Sequence, residues 1–363
     1  MIACATVNAP RPRPRRRPTL GLAAARAGLL AGALVLALAG AGAAAAEEGS
    51  RAALVSGRGE LRVATAGGEG LRVALPEGVT VHALAPLEGR AWLAAGTRDG
   101  SALVLYRGEG TEAERMAGPE AGGAILASPT PLASGGDLVG LAWLAGDDPG
   151  RLTVRFAPWV GGATVPGAGG EWGEPELVAG PAPGSQLALA GAALADGSAL
   201  LVWSAFDGDD DEVLWSVRAA GRWSEPARLA EDNAVPDVTP AVAALGAGAL
   251  AAWSRYDGSE YRLVASRWTG ERWTAPEPLA APGSLYPSFH PGDGGPLLLY
   301  RDARRQGWAV LRLEETGRVA ARAFLGASPP DATPALLGAD AQSVSVLPHA
   351  GTRAIERPWE LVP

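Results

Sequence analysis

The chain has 363 residues, 47% of them hydrophobic, and 39 acidic against 31 basic side chains give a formal charge of −8. That is apolar content enough for a substantial core, while the acidity argues against nucleic acid and anionic membrane surfaces as partners. The one cysteine rules out a disulfide framework, and the three histidines, His82, His290 and His349, are too far apart in sequence for an H-x-x-x-H metal motif.

The N-terminus reads as a targeting segment. Arg11, Arg13, Arg15, Arg16 and Arg17 form a basic region, an uncharged apolar run spans Ala27 to Ala46, and Ala44-Ala45-Ala46 precedes Glu47 and Glu48. Basic, apolar and small-x-small, in that order, is the pattern of a cleaved signal peptide over residues 1–46. The alternative is an uncleaved anchor, which would put the protein at a membrane. Cleavage removes six arginines and no acid, taking the formal charge from −8 to −14. It also removes Cys4, which precedes the apolar run and so is not a lipobox cysteine. All basic residues are arginine, as a GC-rich bacterial genome would produce. The expected location is the bacterial periplasm or the medium.

Beyond the signal, a unit of about 50 residues repeats. ALLVWSAFDG…GRWSEPARLA is followed by ALAAWSRYDG…GERWTAPEPLA, so Trp203 and Trp253, like Trp223 and Trp273, are 50 residues apart. Each unit reads as four strands, A to D. Strand A is a short apolar run such as SPTPLAS, LALAGAAL or VTPAVAAL, and a glycine turn follows it. Strand B is expected to end on a large aromatic residue: Trp92, Trp143, Trp203, Trp253 or Tyr300, at intervals of 51, 60, 50 and 47. The long interval contains the insertion VGGATVPGAGG at 160–170. Strand C alternates apolar and polar residues, as in EVLWSVRA, which is the period of a half-buried strand. Strand D carries Trp-x-x-Pro or a relative, and proline belongs on an edge strand because it cannot donate to a ladder. Glu174, Glu225 and Glu277 would protect that edge from pairing with another chain.

These units predict an all-β, six-bladed propeller of four-stranded antiparallel blades over residues 47–363. Four whole units, a weaker one at 80–117 and one closing blade shared by N- and C-terminal strands make six, while a blade from each terminus would make seven.

One C–D turn reads Ser266-Arg267-Trp268-Thr269-Gly270-Glu271-Arg272-Trp273. It resembles the Asp-box of sialidase-like propellers, S-x-D-x-G-x-T-W, with Ser266, Gly270 and Trp273 in place but Trp268 where the Asp belongs and Arg272 where the Thr belongs. The resemblance covers residues 80–325 and implies the scaffold, with the Ser and Trp pinning a turn opposite the functional face. A catalytic member would carry three arginines on inner-strand ends and a Tyr–Glu nucleophile pair. Arg98, Arg255 and Arg301 follow strand B in three units, and Tyr261 beside Glu260 is the one local Tyr–Glu pair. No Arg-Ile-Pro-like motif follows the signal, and neither a G-x-S-x-G elbow nor a phosphate loop occurs.

The remaining pattern is acidic. The B–C loops contain Arg98-Asp99-Gly100, Asp147-Asp148, DGDDDE from Asp207 to Glu212, Asp257-Gly258-Ser259-Glu260, and Arg301-Asp302. The D–A loops, which share that face in a propeller, add Asp232, Asn233, Asp237 and Tyr286. One reading is turn chemistry. The sharper one is a binding face, with Asp209, Asp211, Asp257, Asp302, Asp237 and Tyr286 as ligand-binding candidates. Within it, Asp207, Asp209, Asp211 and Glu212 are candidates for Ca²⁺, and no other cofactor is expected. The sequence therefore favours an exported, monomeric, non-catalytic propeller whose acidic face binds a polysaccharide, an envelope protein or a cation. The alternative is a divergent sialidase-like glycoside hydrolase.

Overall fold

Strands of alternating burial hydrogen-bond in chain order, because each short glycine turn returns the chain beside itself. The computed structural model describes residues 53–57, 60–64, 70–87, 91–109, 112–161, 170–181, 184–292, 295–349 and 354–362; the segment expected to be a signal peptide and most of the 160–170 insertion lie outside them. Every regular element among the described residues is a strand.

Five complete blades form the body. The first has strands A to D at Val79–Pro86, Ala91–Arg98, Ala102–Glu109 and Glu112–Met116. The second has Ile125–Ser134, Asp137–Gly146 and Thr153–Val160, the third Gln186–Ala193, Ala199–Phe206 and Asp211–Ala219, and the fourth Asp237–Leu245, Gly248–Tyr256 and Tyr261–Trp268. In these three blades strand D is short or broken by proline. Pro175 separates Glu171–Trp172 from Glu176–Ala179, and Pro226 separates Arg222–Trp223 from Ala227–Arg228, while Glu277–Pro278 edges the fourth blade. Glu174, Glu225 and Glu277 are exposed there. The fifth blade (Ser284–His290, Leu297–Asp302, Gly307–Leu313, Val319–Ala327) gains a fifth strand, Glu360–Leu361, on its outer edge.

The closing position holds two three-stranded sheets, Ala53–Gly57 with Glu60–Ala64 and Gly70–Ala74, and Ala335–Ala339 with Ser343–Leu347 and Ile355–Pro358. Together the two sheets fill the sixth position and complete the expected six-bladed ring. The expectation that terminal strands share one blade needs correction in detail. Ala53–Gly57 lies beside Ala335–Ala339, but no ladder joins the two sheets. Each end pairs with its own following strand instead, and a hairpin costs far less loop entropy than joining distant chain ends. In the C-terminal hairpin, Asp340 Oδ1 accepts the Gln342 and Ser343 backbone N–H groups, both at 2.7 Å.

A second repeat, invisible as letters, lies in the innermost strands. Strand A bulges at Ser128, Ala188, Thr239 and Tyr286, whose φ values are +48°, +47°, +53° and +58°. In each case two residues of strand A face one residue of strand B, and that residue is Trp143, Trp203, Trp253 or Tyr300. Left-handed backbone costs a non-glycine residue about 1–2 kcal/mol. Burying a Trp removes roughly 150–250 Å², worth about 4–6 kcal/mol, so seating the aromatic outweighs the bulge. All three tryptophans are 0% exposed. Trp92 is not their counterpart. It opens strand B of the first blade opposite Pro86 and packs over Gly108, whose added Cβ would sit 2.1 Å from the Trp92 ring. Its 51-residue spacing from Trp143 is a coincidence of composition.

Other aromatics join blades. Trp215 of the third blade packs on Trp268 and Trp273 of the fourth at ring separations of 4.7 and 6.0 Å, and Trp223 of the third packs edge-on against Phe156 of the second at 5.2 Å. Beside that contact Glu176 of the second blade accepts two hydrogen bonds from Arg218, at 2.8 and 2.7 Å, and one from Trp223 Nε1 at 2.8 Å. The degenerate Asp-box turns act as pins. Ser266 Oγ donates to the Thr274 carbonyl at 2.6 Å, and Ser216 Oγ donates to that of Ser224 at 2.7 Å. In both turns the residue after the Trp closes the pin, its own hydroxyl accepting the Arg267 or Val217 N–H at 3.0 or 3.2 Å.

Candidate functional site

Strand alternation puts the B–C and D–A loops on one face, and backbone bonds tie them together. Leu126 N–H donates to Gly100 O (2.6 Å), Tyr256 N–H to Pro236 O (2.9 Å) and Ala303 N–H to Gly283 O (2.8 Å). Most acids there serve turns. Asp257 Oδ1 accepts the Ser259 and Glu260 N–H groups, both at 3.0 Å, and these bonds hold its carboxyl down at about 2. Asp302 Oδ1 accepts Arg305 N–H at 2.9 Å, and Asp148 Oδ1 accepts Gly150 N–H at 2.8 Å.

The third blade departs from that pattern. Asp207 makes the same turn, accepting Asp209 N–H at 2.9 Å and Asp210 N–H at 3.3 Å. Asp210 and Glu212, two residues apart, then project to the same side, as a strand's period of two requires. Oxygens of Asp207, Asp210 and Glu212 come within 4.8 Å of one another. Glu212 is 1% exposed and accepts the Asn233 backbone N–H at 3.3 Å. Asp210 is 9% exposed, and neither of its carboxylate oxygens has a hydrogen-bond partner or solvent. Burial first, then the neighbouring acids, pushes Asp210 up to about 6 and Glu212 up to about 7. Asp207 moves the other way, held down chiefly by the Asp209 N–H bond. Asp209 itself is exposed and outside the cluster, and Asp211 has the opposite strand parity, so two of the acids expected to hold a cation are replaced by Asp210.

Across the blade boundary Asp237, 0% exposed at the start of the fourth blade's strand A, receives Arg255 Nε at 2.8 Å and Nη2 at 2.6 Å. Asn233 Nδ2 donates to it at 3.3 Å, linking this ion pair to Glu212. Arg228 bridges Asp207 and Asp232, at 2.6 Å each.

The three arginines expected of a catalytic sialidase each have separate surroundings. Arg255 is bound by Asp237 and lies 5.6 Å from the Trp253 ring centre. Arg301 donates to the Ser328 carbonyl at 2.7 Å and lies over Trp308 at 5.9 Å. Arg98 ends the first blade's strand B, opposite Val79. Relative to the bulge, Arg255 and Arg301 differ by one register position, which turns them to opposite faces. Glu260 is engaged by Arg304 of the next blade, while the Tyr261 ring rests against Tyr256 at 5.3 Å. Tyr286, with its left-handed backbone, donates its N–H to Ser254 Oγ at 3.1 Å, and burial raises both Tyr261 and Tyr286 above the usual phenol range. Two histidines are packing groups. His290 meets Ser288 Oγ at 3.1 Å and His82 meets Thr97 Oγ1 at 3.0 Å, and burial lowers them to about 3 and about 4.

Sequence reasoning passed over Asp210, Arg228 and Glu176. Parity within DGDDDE was the available signal for Asp210; Arg228 and Glu176 act across loops or blades, which no local pattern reveals.

No protein family description matches the chain, and no curated protein matches it in sequence. Solved structures do match in fold. The fucose-specific lectin of Aleuria aurantia is 9% identical with a TM-score of 0.50, over 76% of this chain and 92% of the lectin. The GH93 α-L-arabinofuranosidase of Fusarium graminearum is 10% identical with a TM-score of 0.48, over 76% and 90%. A Dyadobacter fermentans protein described as of unknown function is 14% identical with a TM-score of 0.42, over 90% and 98%. At such identities the likeness is one of scaffold, which the sialidase-like resemblance of the repeat also marks.

Proposed function

We propose that this chain is an exported, non-catalytic propeller that binds carbohydrate through its B–C/D–A loop face. One observation carries the reading: half-buried Tyr256, Tyr261 and Tyr286 stand beside the acidic loops of the third and fourth blades. Aromatic rings offer an apolar surface to a sugar's C–H face with little loss of side-chain freedom, and carboxylates accept its hydroxyls. The scaffold suits this use, since a fucose-specific lectin has it too. The basic, apolar and Ala-x-Ala order of residues 1–46 supports export, where polysaccharides are available.

A glycan array followed by calorimetry on the intact mature chain tests the proposal. The expected result is saturable binding of at least one glycan, weakened tenfold or more by Tyr261→Ala in a protein that still unfolds cooperatively. Absence of binding to every glycan, or binding that Tyr261→Ala and Tyr256→Ala leave unchanged, would refute it. Release of reducing sugar from the bound glycan would instead favour a hydrolase.

A further inference from the structure

The carboxylate cluster of the third blade calls for its own account, because Asp210 and Glu212 are buried beneath the loop surface that the sugar reading uses. Its immediate surroundings contain six carboxylates, Asp207, Asp209, Asp210, Glu212, Asp232 and Asp237. Two guanidinium groups face them, and both are committed: Arg228 to Asp207 and Asp232, Arg255 to Asp237. That leaves a formal surplus of four negative charges, six carboxylates less two guanidinium groups. Asp210 is the least compensated of them, since both its oxygens are buried without a hydrogen-bond donor. A buried carboxylate left without a partner carries a desolvation cost that nothing in the protein offsets.

We propose that Asp207, Asp210 and Glu212 bind one Ca²⁺ ion. The donors are all carboxylate oxygens, with no imidazole or thiolate among them, which selects a hard cation. Their oxygens lie within 4.8 Å of one another, so one ion with metal–oxygen distances of about 2.4 Å, the Ca²⁺ value, can reach all three. Three carboxylates supply three to six oxygens, and water completes the set. Asn233 does not compete, because its side-chain oxygen accepts the Val235 N–H at 3.0 Å and its N–H groups face Glu212 and Asp237.

Placement gives the ion a role. Asp207 and Asp210 belong to the third blade's B–C loop and Glu212 to its strand C, while Asn233 connects Glu212 to Asp237 in the fourth blade. A cation there would tie the loop to the blade boundary and lower the repulsion on the Asp237–Arg255 pair. This inference stands apart from carbohydrate binding, and either can fail alone.

Calorimetry with CaCl₂ on the intact, chelator-stripped chain tests it. One saturable site per chain is expected, together with a melting temperature that rises with Ca²⁺ concentration. Glu212→Gln and Asp210→Asn, which keep the side-chain shapes, should each weaken binding tenfold or more. Asp209→Ala, exposed and not a ligand, removes only a neighbouring charge and should weaken binding less than about threefold. No saturable heat and no Ca²⁺-dependent melting shift in the parent would overturn the site. So would equal binding by Glu212→Gln, equal loss in Asp209→Ala, or Mg²⁺ binding as tightly as Ca²⁺. Repeating the glycan measurement on the stripped chain keeps the two proposals distinguishable.

Discussion

Arg255→Ala probes the ion pair at the blade boundary. Its partner, Asp237, has a side chain only 1% exposed and accepts both guanidinium bonds, at 2.8 and 2.6 Å. Without Arg255 the carboxylate keeps one donor, Asn233 Nδ2 at 3.3 Å, and remains near Glu212. Removing one partner of a buried pair costs about 3–5 kcal/mol. Arg255 is 26% exposed, so water entering the vacated space will soften the loss and the lower end, about 3 kcal/mol, is expected. The converse change, Asp237→Ala, strands an arginine that solvent already reaches and should cost less, about 2 kcal/mol. The double variant should be less destabilised than the two single losses added, by about 1–2 kcal/mol, because neither charge is then left alone. Equilibrium urea unfolding at pH 7, followed by tryptophan fluorescence, gives all four corners of the cycle. A loss under 1 kcal/mol for Arg255→Ala, or additivity within about 0.5 kcal/mol, would refute the argument that Asp237 depends on its arginine.

Three further outcomes follow from other parts of the structure. Ala188 adopts φ +47° at the third blade's bulge, so Ala188→Gly should raise stability by about 0.5–1 kcal/mol in the same urea assay, the reverse of the usual cost of glycine in a strand. His290 is lowered from 6.5 to about 3 by burial, so below pH 6.5 the unfolded chain takes up a proton that the folded chain refuses. Stability contributed by the neutral imidazole is full above pH 6.5 and falls by about 1.4 kcal/mol per pH unit below it; His290→Gln should flatten the pH 6.5–4.5 slope of urea stability by that amount. Glu176→Ala should cost about 2–3 kcal/mol, since it strands Arg218 and the Trp223 N–H together, whereas Glu174→Ala, exposed two residues away, should stay within about 0.5 kcal/mol.

The contrast between Trp92 and Trp203 shows how far the repeat could be read. Both are fully buried tryptophans near the expected spacing, yet only Trp203 faces a strand-A bulge. Spacing reports how many residues lie between two positions, and a bulge shifts register without leaving a composition signal. The acidic loops show the same limit. Asp257 and Asp207 occupy equivalent Asp-Gly turns, and both were visible as letters. What separates them is the residues that follow: the Ser259 hydroxyl also donates to Asp257 and Glu260 is engaged by Arg304, while Asp210 and Glu212 are buried together.

Period-two alternation, glycine turns, edge prolines and the 50-residue repeat determine by themselves that this chain is a propeller, because they are local properties of the backbone and of strand burial. Tertiary structure decided how the ring closes, that Arg98, Arg255 and Arg301 stay apart, and which acids meet. Those outcomes depend on contacts between residues in different strands and blades, and on which of them solvent can reach, and neither quantity is written in the order of residues along one blade.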